Sequence, residues 1–497
     1  MTTTSQQRTD VDVVVIGAGI SGIGAAYHLA TERPSTSYVV LDAGTALGGT
    51  WNLFTYPGIR SDSDMPSFGF GFKPWTHTQS IADAHVILDY LNEAVDENGI
   101  REHIRFHTRV VAADFDSEAG RWLVRTTDAR TGEESTVSAR FLYSGTGYYD
   151  HAAGYTPSFE GVDDFRGTVV HPQLWPEDLD YTGKKVVVIG SGATAVTLIP
   201  AMAGRAEHVT MLQRSPSYVL SMPREDVLAN ALGRLVGPER AHRIVRRKNI
   251  ALNRGLFKAS KRAPGLVRRA LIADVRRRLP KGFDVDTHFA PKYDPWDQRL
   301  CMVPDGDLFT ALSSGGASVV TDHIDRFTET GIALTSGQHL DADIVVTATG
   351  LTLLPFGRIA FSVDGAPVDL ADSVVYKSMM LSGVPNFVFA FGYTNIAWTL
   401  KVDLVCKHMI RLLDHMDAEG NTVVVPTLPD APLERAPMID MSSGYVQRGI
   451  AAFPKAGDVG PWTVTMAYED DAERLLHDPV ADSALSFRTP APQAVSA

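Results

Sequence analysis

At 497 residues, with 44% hydrophobic and 21% charged residues and a formal net charge of −12, the chain has the makeup of a globular protein of two or three domains, not of a dedicated nucleic-acid binder. Its two cysteines, Cys301 and Cys406, lie far apart with no ligand spacing around them, which excludes a disulfide framework or a zinc centre and fits a reducing cytoplasm. The polar opening MTTTSQQRTD does not read as a signal peptide, and no apolar run approaches the roughly 18 to 20 residues of a membrane span, so no transmembrane segment and a cytoplasmic location are expected.

The first predicted unit is VDVVVIGAGISGIGAAYHLA, from Val11. A β-branched strand runs into Gly17, Gly19 and Gly22, which open an Ala-rich helix. The first glycine serves a tight turn, the second a close approach to a pyrophosphate, and the third close packing of helix on strand. The next strand, SYVVLDAG, ends in Asp42, where an acid suits a ribose hydroxyl pair. A Gly-Gly segment with Gly49, Thr50 and Trp51 follows the acid, then a loop with Arg60, Asp62 and Asp64. Plain dehydrogenase units lack such a segment, and FAD is the dinucleotide favoured here. In SFGFGFKPW, the alternation of Phe68, Phe70 and Phe72 predicts a strand with one aromatic face.

FLYSGTGYYD (141–150) and DADIVVTATGL (341–351) both read as strands ending in small-residue turns. They predict two crossings between domains: an FAD-binding domain made of 1–149 and 346–497, and an inserted NADPH-binding domain at 150–345. The fold class expected is α/β with two Rossmann-like domains. Inside the insertion, KKVVVIGSGATAVTLIP carries GxGxxA at Gly190, Gly192 and Ala195. Its next strand, HVTMLQRSPSYV, places Gln213 where the acid would stand, followed by Arg214 and Ser215. Exchanging the acid for a cation and a hydroxyl suits a 2′-phosphate, a preference worth about 1.5–3 kcal/mol for NADPH.

Residues 224–290 read as a helical excursion rich in arginine: Arg246, Arg247 and Lys248, then Lys261 and Arg262, then Arg276, Arg277 and Arg278. A membrane-surface or nucleic-acid patch is one reading. The negative overall charge and the scarcity of stacking aromatics favour solvated helix faces. GYTNIAWTL predicts Thr394 and Asn395 as caps of a helix aimed at the flavin, and RTPAPQAVSA reads as a disordered tail.

Two longer stretches carry a family resemblance. GGTWNLFTYPGIRSD, Gly48 to Asp62, fits the pattern [AG]GxWxxxx[FY]P[GM]xxxD at every position. FRGTVVHPQLWP fits FxGxxxHxxxW followed by Pro or Asp, through Phe165, Gly167, His171, Trp175 and Pro176. With both fingerprints in order, the chain resembles the class B flavoprotein monooxygenases over nearly its whole length, in the type I Baeyer–Villiger branch. PKYDPWDQRLCMVPDGDLF and FGYTNIAWTLKVDL look closest to the mycobacterial ethionamide-activating type.

The resemblance implies FAD and NADPH as cofactors, and a ketone or thioether and O2 as substrates. It implies conversion of ketones to esters or lactones through a C4a-peroxyflavin, with sulfoxidation as a side activity. It places the catalytic arginine at Arg299, whose fixed cation would stabilise anionic oxygen at a typical value of 10²–10³ in rate, and makes Asp62 the acid that orients it. The stretch around His171 becomes a linker between domains, with Gly167 as its flexible point, Phe165 and Trp175 as anchors, and His171 as a polar group that changes partners. A satisfied structural histidine is the rival there. One departure is Gln298, where many members have a lysine that helps hold the NADPH phosphate, so some tolerance of NADH is expected. An S- or N-oxygenase is the alternative function. A disulfide reductase lacks its cysteine pair, and a nucleotide-sensing module leaves both signatures unexplained.

Overall fold

A computed structural model describes residues 9–298 and 300–489, so Arg299 and all but the first two residues of the expected tail lie outside the described residues. Strands β1 (Thr9–Ile16), β2 (Tyr38–Leu41), β3 (Ile104–Arg105), β4 (Thr108–Asp116), β5 (Arg121–Asp128) and β6 (Glu134–Ser144) build a first sheet. Strands β7 (Thr168–Val170), β8 (Lys185–Ile189), β9 (His208–Gln213), β10 (Ala317–Thr321) and β11 (Ile344–Thr347) build a second, and the chain then returns to the first with β12 (Ala360–Val363), β13 (Ala366–Pro367) and β14 (Phe387–Phe389). The first sheet runs β13-β12-β4-β5-β6-β1-β2-β3, with β14 also on β6, and the second runs β10-β9-β8-β11-β7. The second is parallel throughout, and β6, β1, β2 and β3 are parallel in the first. Parallel strands need cover on both faces, which explains the unbroken Val13–Ile16 and Val186–Ile189 runs, all buried. The α/β class with two Rossmann-like units is what the sequence implies.

Each sheet carries a strand–glycine–helix unit: in the first, α1 (Ile20–Glu32) follows β1. The short helices α2 (Thr50–Leu53) and α3 (Met65–Phe68) and the core helix α4 (Ala84–Glu97) follow in the first unit, and α5 (Ala193–Met202) follows β8 in the second. The arginine-rich stretch folds as α6 (Val227–Val236), α7 (Pro238–Arg262) and α8 (Pro264–Arg278), interrupted at Gly237, whose φ is +85°, and before Pro264. The C-terminal part adds α9 (Trp398–Ala418), which packs on α1, and α10 (Tyr468–Leu476), which packs on α9. Among the described residues no helix is long and apolar enough to cross a membrane.

The aromatic stretch at Phe68 is not a strand. Phe68 closes the single turn of α3, and the backbone donors that a ladder would need are already used: Gly69 N–H bonds to the Met65 carbonyl and Phe70 N–H to the Tyr90 hydroxyl, both at 2.7 Å. The rings stack instead, Phe70 on Phe72 at 4.6 Å and Phe72 on Tyr27 at 3.4 Å.

Candidate functional site

In the first fingerprint the three glycines have separate jobs. Gly17 has φ +96°, and a Cβ there would stand 2.8 Å from the carbonyl oxygen of Gly145, at the exit of β6. A Cβ on Gly22 would lie 1.8 Å from the Gly17 carbonyl. Gly19 faces Gly49 across 3.5 Å, measured from its would-be Cβ to the Gly49 Cα, and it precedes α1 without any side-chain cap. The first N–H groups of α1 therefore keep no side-chain acceptor, the arrangement an anionic pyrophosphate uses. Asp42 follows β2, accepting from the N–H of Ala18 and of Gly44, each at 2.6 Å. The carboxylate is thereby pinned beside the glycine turn, where a ribose would lie. The residues fit an FAD.

The stretch from Gly48 to Asp62 joins the two units. Gly48 N–H bonds to the Ala18 carbonyl at 3.0 Å, Thr50 opens α2, and Trp51 packs edge-on against Phe68 at 5.7 Å. A few residues on, Phe54 and Tyr56 are buried in the core of the second unit, and a Cβ on Gly58 would be 2.6 Å from the Ala201 Cβ of α5. Burial holds the Tyr56 hydroxyl up at about 12. Arg60 is buried and pairs with Asp307 at 2.5 Å. Asp62, two residues on, is half-buried, with Ser63 Oγ 3.5 Å from its carboxylate. One segment thus runs from the first fingerprint to the second unit and ends on the predicted acid.

The second fingerprint repeats the first. Gly190 has φ +140°, and a Cβ would meet the Ala348 carbonyl at 2.3 Å, at the exit of β11. Gly192 opens α5 with no side-chain cap, and a Cβ there would meet nothing within 4 Å, while Ala195 is fully buried. Arg214 and Ser215 are exposed at the end of β9, and Ser191 Oγ donates to the Ser215 carbonyl at 3.0 Å. Gln213 does not face this site: it is buried and donates to His288 O and Thr321 Oγ1, both at 2.8 Å. The arrangement fits an NADP. The two exits also pair with each other, since Asp150 N–H bonds to the Thr352 carbonyl at 2.9 Å and Leu354 N–H to the Tyr148 carbonyl at 3.0 Å.

The stretch from Phe165 to Trp175 is built into the second unit. Phe165 is buried beside Phe327, and Thr168–Val170 is the edge strand β7. Gly167 is no flexible point: a Cβ would be 2.3 Å from the Asp343 carbonyl and 2.4 Å from the Phe165 ring, so close packing dictates the glycine. His171 Nδ1 accepts from the Gln173 N–H at 3.1 Å and Nε2 donates to the Gly350 carbonyl at 3.2 Å. Burial lowers its pKa, leaving a neutral ring with both nitrogens used. It ties the entry of the second unit to its exit. Trp175 packs, half-buried, on that unit's core.

Thr394 and Asn395 do not cap a helix, because α9 starts later, after Ala397, and has no side-chain cap. Asn395 donates to the Met466 carbonyl at 2.9 Å, and its own carbonyl oxygen is buried without a partner. Thr394 lines a small cleft with Tyr148, Phe391, Tyr393, Trp398 and Tyr445. Trp398 stacks on Tyr148 at 5.2 Å and donates to Ser21 Oγ in the first turn of α1, which places this cleft at the first fingerprint. Sequence reasoning missed this aromatic wall. It missed as well the buried network beneath it, in which Lys401 and Tyr393 both reach Asp471, at 2.6 and 2.8 Å. Cys301 and Cys406 are both buried and neither is in a disulfide, and the described residues hold no cluster that could bind a metal.

A family model for flavin-binding monooxygenase-like proteins matches residues 69–231, and one for NAD(P)-binding Rossmann-like domains matches 15–84. The chain is 49% identical to an FAD-containing monooxygenase, EthA, of Mycolicibacterium smegmatis, over 96% of both chains. To the protein of that name from Mycobacterium tuberculosis it is 47% identical, over 98% of this chain and 99% of the other. Among solved structures it is similar to an oxidized steroid monooxygenase bound to NADP, with TM-score 0.71 and 26% identity over 84% of this chain and 88% of that one. An open cyclohexanone monooxygenase shares the fold, with TM-score 0.72 and 21% identity over 84% and 90%.

Proposed function

Because the chain belongs to the flavin-binding monooxygenase family, we propose that it oxygenates ketones to esters or lactones in the manner of Baeyer–Villiger enzymes, and oxidises thioethers alongside. The coarser activity, an NADPH-dependent monooxygenase carrying FAD, is common to the family. The observation that carries the finer reading is the Gly48–Asp62 segment, which matches the ketone-oxidising signature at every position and joins the flavin fingerprint to the core of the second unit.

Bound FAD supplies the activation of O2. The chain's part is to bind, orient and polarise. Gly17, Gly19, Gly22 and Asp42 would hold the FAD pyrophosphate and ribose, with Gly49, Thr50 and Trp51 along it. Gly190, Gly192, Ala195, Arg214 and Ser215 would hold NADPH. Arg299 is proposed as the cation that stabilises negative charge developing on oxygen, with Asp62 to orient it. The same reading assigns 1–149 and 346–497 to FAD and 150–345 to NADPH. A cytoplasmic location agrees with two cysteines that form no disulfide.

The test mixes the purified enzyme, FAD, NADPH and labelled oxygen gas with one probe bearing both a ketone and a thioether. Label in an ester, lost in Arg299→Ala, is the expected result. Label confined to the sulfoxide overturns the ketone reading in favour of an S-oxygenase.

A further inference from the structure

The helices α6, α7 and α8 concentrate the molecule's positive charge. Residues 227–278 hold fifteen Lys and Arg against two acids, Glu239 and Asp274, in a chain whose net charge is −12. Several of these cations are used internally. Arg246 bonds to backbone carbonyls, Lys248 to Asp226, Arg254 to Glu469 and Lys261 to Asp297, while Arg276 pairs with Asp286 and both Arg277 and Arg278 pair with Asp274. Arg234, Arg240, Arg243, Arg247, Lys258 and Arg262 have no ion-pair partner among the described residues. All six are exposed.

The apolar residues on the same helices break the usual rule. Leu235 is 81% exposed, Val227 77%, Leu266 63%, Leu252 62% and Ile244 53%, a majority of the strongly exposed large hydrophobic side chains in the described molecule. On α6 the exposed positions Val227, Leu228, Ala231 and Leu235 recur at helical spacing, as do Arg240, Arg243, Ile244, Arg247 and Leu252 on α7. The opposite face of α7, with His242, Val245 and Arg246, packs inward on the 64–75 segment. The outer face is therefore a surface on which leucines stand among unpaired arginines.

We propose that this face docks the enzyme, peripherally, onto an anionic lipid bilayer. Arginine beside exposed leucine is the combination an interface of lipid headgroups over acyl chains stabilises, with the guanidinium groups at phosphate level and the leucines below. Nucleic acid is a poorer match, because the single aromatic of the three helices, Phe257, is turned onto Trp296 and offers no stacking platform. A second copy of this chain is a poorer match too: the face carries six exposed cations without ion-pair partners, and two copies of it would set like charges against each other. The proposal is independent of the oxygenation reading, since vesicle binding needs no turnover.

The experiment is sedimentation of the FAD-loaded enzyme with vesicles of phosphatidylcholine alone, or of phosphatidylcholine with about one third phosphatidylglycerol. Binding to the anionic vesicles only, weakening as salt rises, is expected. The triple variant Arg240→Gln, Arg243→Gln, Arg247→Gln should lower that partition on the order of a hundredfold. Leu228→Glu with Leu235→Glu should abolish it, with unchanged melting temperature and unchanged turnover of a water-soluble substrate. Equal binding to both vesicles, or to neither, overturns the proposal. So does light scattering that shows self-association in the native chain and none in Leu235→Glu, which would make the face a contact between copies.

Discussion

Gly22 stands so close to Gly17 that a Cβ on Gly22 would lie 1.8 Å from the Gly17 carbonyl oxygen and 3.3 Å from a Val15 methyl. In the second fingerprint Ala195 takes the place of Gly22, and Gly192, which matches Gly19, opens on empty space. Gly22→Ala should therefore lose both stability and bound flavin, since backbone must move to admit the methyl. Gly192→Ala should change stability by less than about 1 kcal/mol and raise the KM for NADPH instead. Melting curves, the flavin-to-protein absorbance ratio and KM separate the two outcomes.

Arg246, on α7, donates to the carbonyls of Pro66, Ser67 and Gly69 at 3.0, 2.8 and 2.7 Å, while Asn249 and Asn253 donate to Asp64 at 2.8 and 3.1 Å. One helix face thus holds both ends of α3, two residues beyond Asp62. Arg246→Met should cost about 2–3 kcal/mol in a denaturant titration. Arg243→Met, one turn away on the exposed face, should cost less than about 0.5 kcal/mol.

His242 gives a pH dependence with a definite sign. Its Nδ1 accepts from the Trp75 N–H at 3.2 Å, its Nε2 is buried without a partner, and burial, with Arg246 nearby, lowers its pKa to about 4. Between about 4 and the ordinary value near 6.5 the unfolded chain binds the proton and the folded chain does not. Stability from this group is complete above about pH 6.5 and falls as the pH drops toward 4, by about 2–3 kcal/mol. His242→Gln should flatten that part of the stability–pH curve. An unchanged slope would remove His242 as its source.

Arg214 is exposed and has no ion-pair partner among the described residues, so its removal leaves the fold alone. Arg214→Gln should raise the KM for NADPH about tenfold to a hundredfold and leave that for NADH within twofold or so. Equal losses with both cofactors would place the 2′-phosphate elsewhere.

Gly167→Ala distinguishes packing from hinging. With the Asp343 carbonyl 2.3 Å from the new methyl, the variant should lose more than about 2 kcal/mol of stability. A variant of normal stability and slowed turnover would restore the flexible point that the sequence suggested.

The features legible in the sequence share one property: their meaning is local. Val13–Ile16 followed by Gly17, Gly19 and Gly22 can do little else than turn a buried strand into a close-packed helix, and Gly190 to Ala195 repeats the case. The readings that failed depended on partners distant in the chain. Phe68, Phe70 and Phe72 alternate like a strand, but the Tyr90 hydroxyl and the Met65 carbonyl take the backbone groups a ladder would need. Gly167 reads as freedom and is confinement, because Asp343 is 176 residues away in sequence. Thr394 and Asn395 look like caps, yet the helix begins after Ala397.

By itself the sequence determined two dinucleotide-binding units, their order, and the family to which their signatures belong. Strand period, glycine spacing and the acid after β2 are short-range constraints that any fold of this chain must satisfy. Only the tertiary structure decided that Gly48–Asp62 reaches into the second unit, that the exits at Tyr148–Asp150 and Thr352–Leu354 bond to each other, and that α7 turns Arg246 inward and Arg243 outward. A polar side chain one turn from another looks the same in one dimension. Which of them finds a buried carbonyl depends on what packs against the helix, and that neighbour comes from another part of the chain.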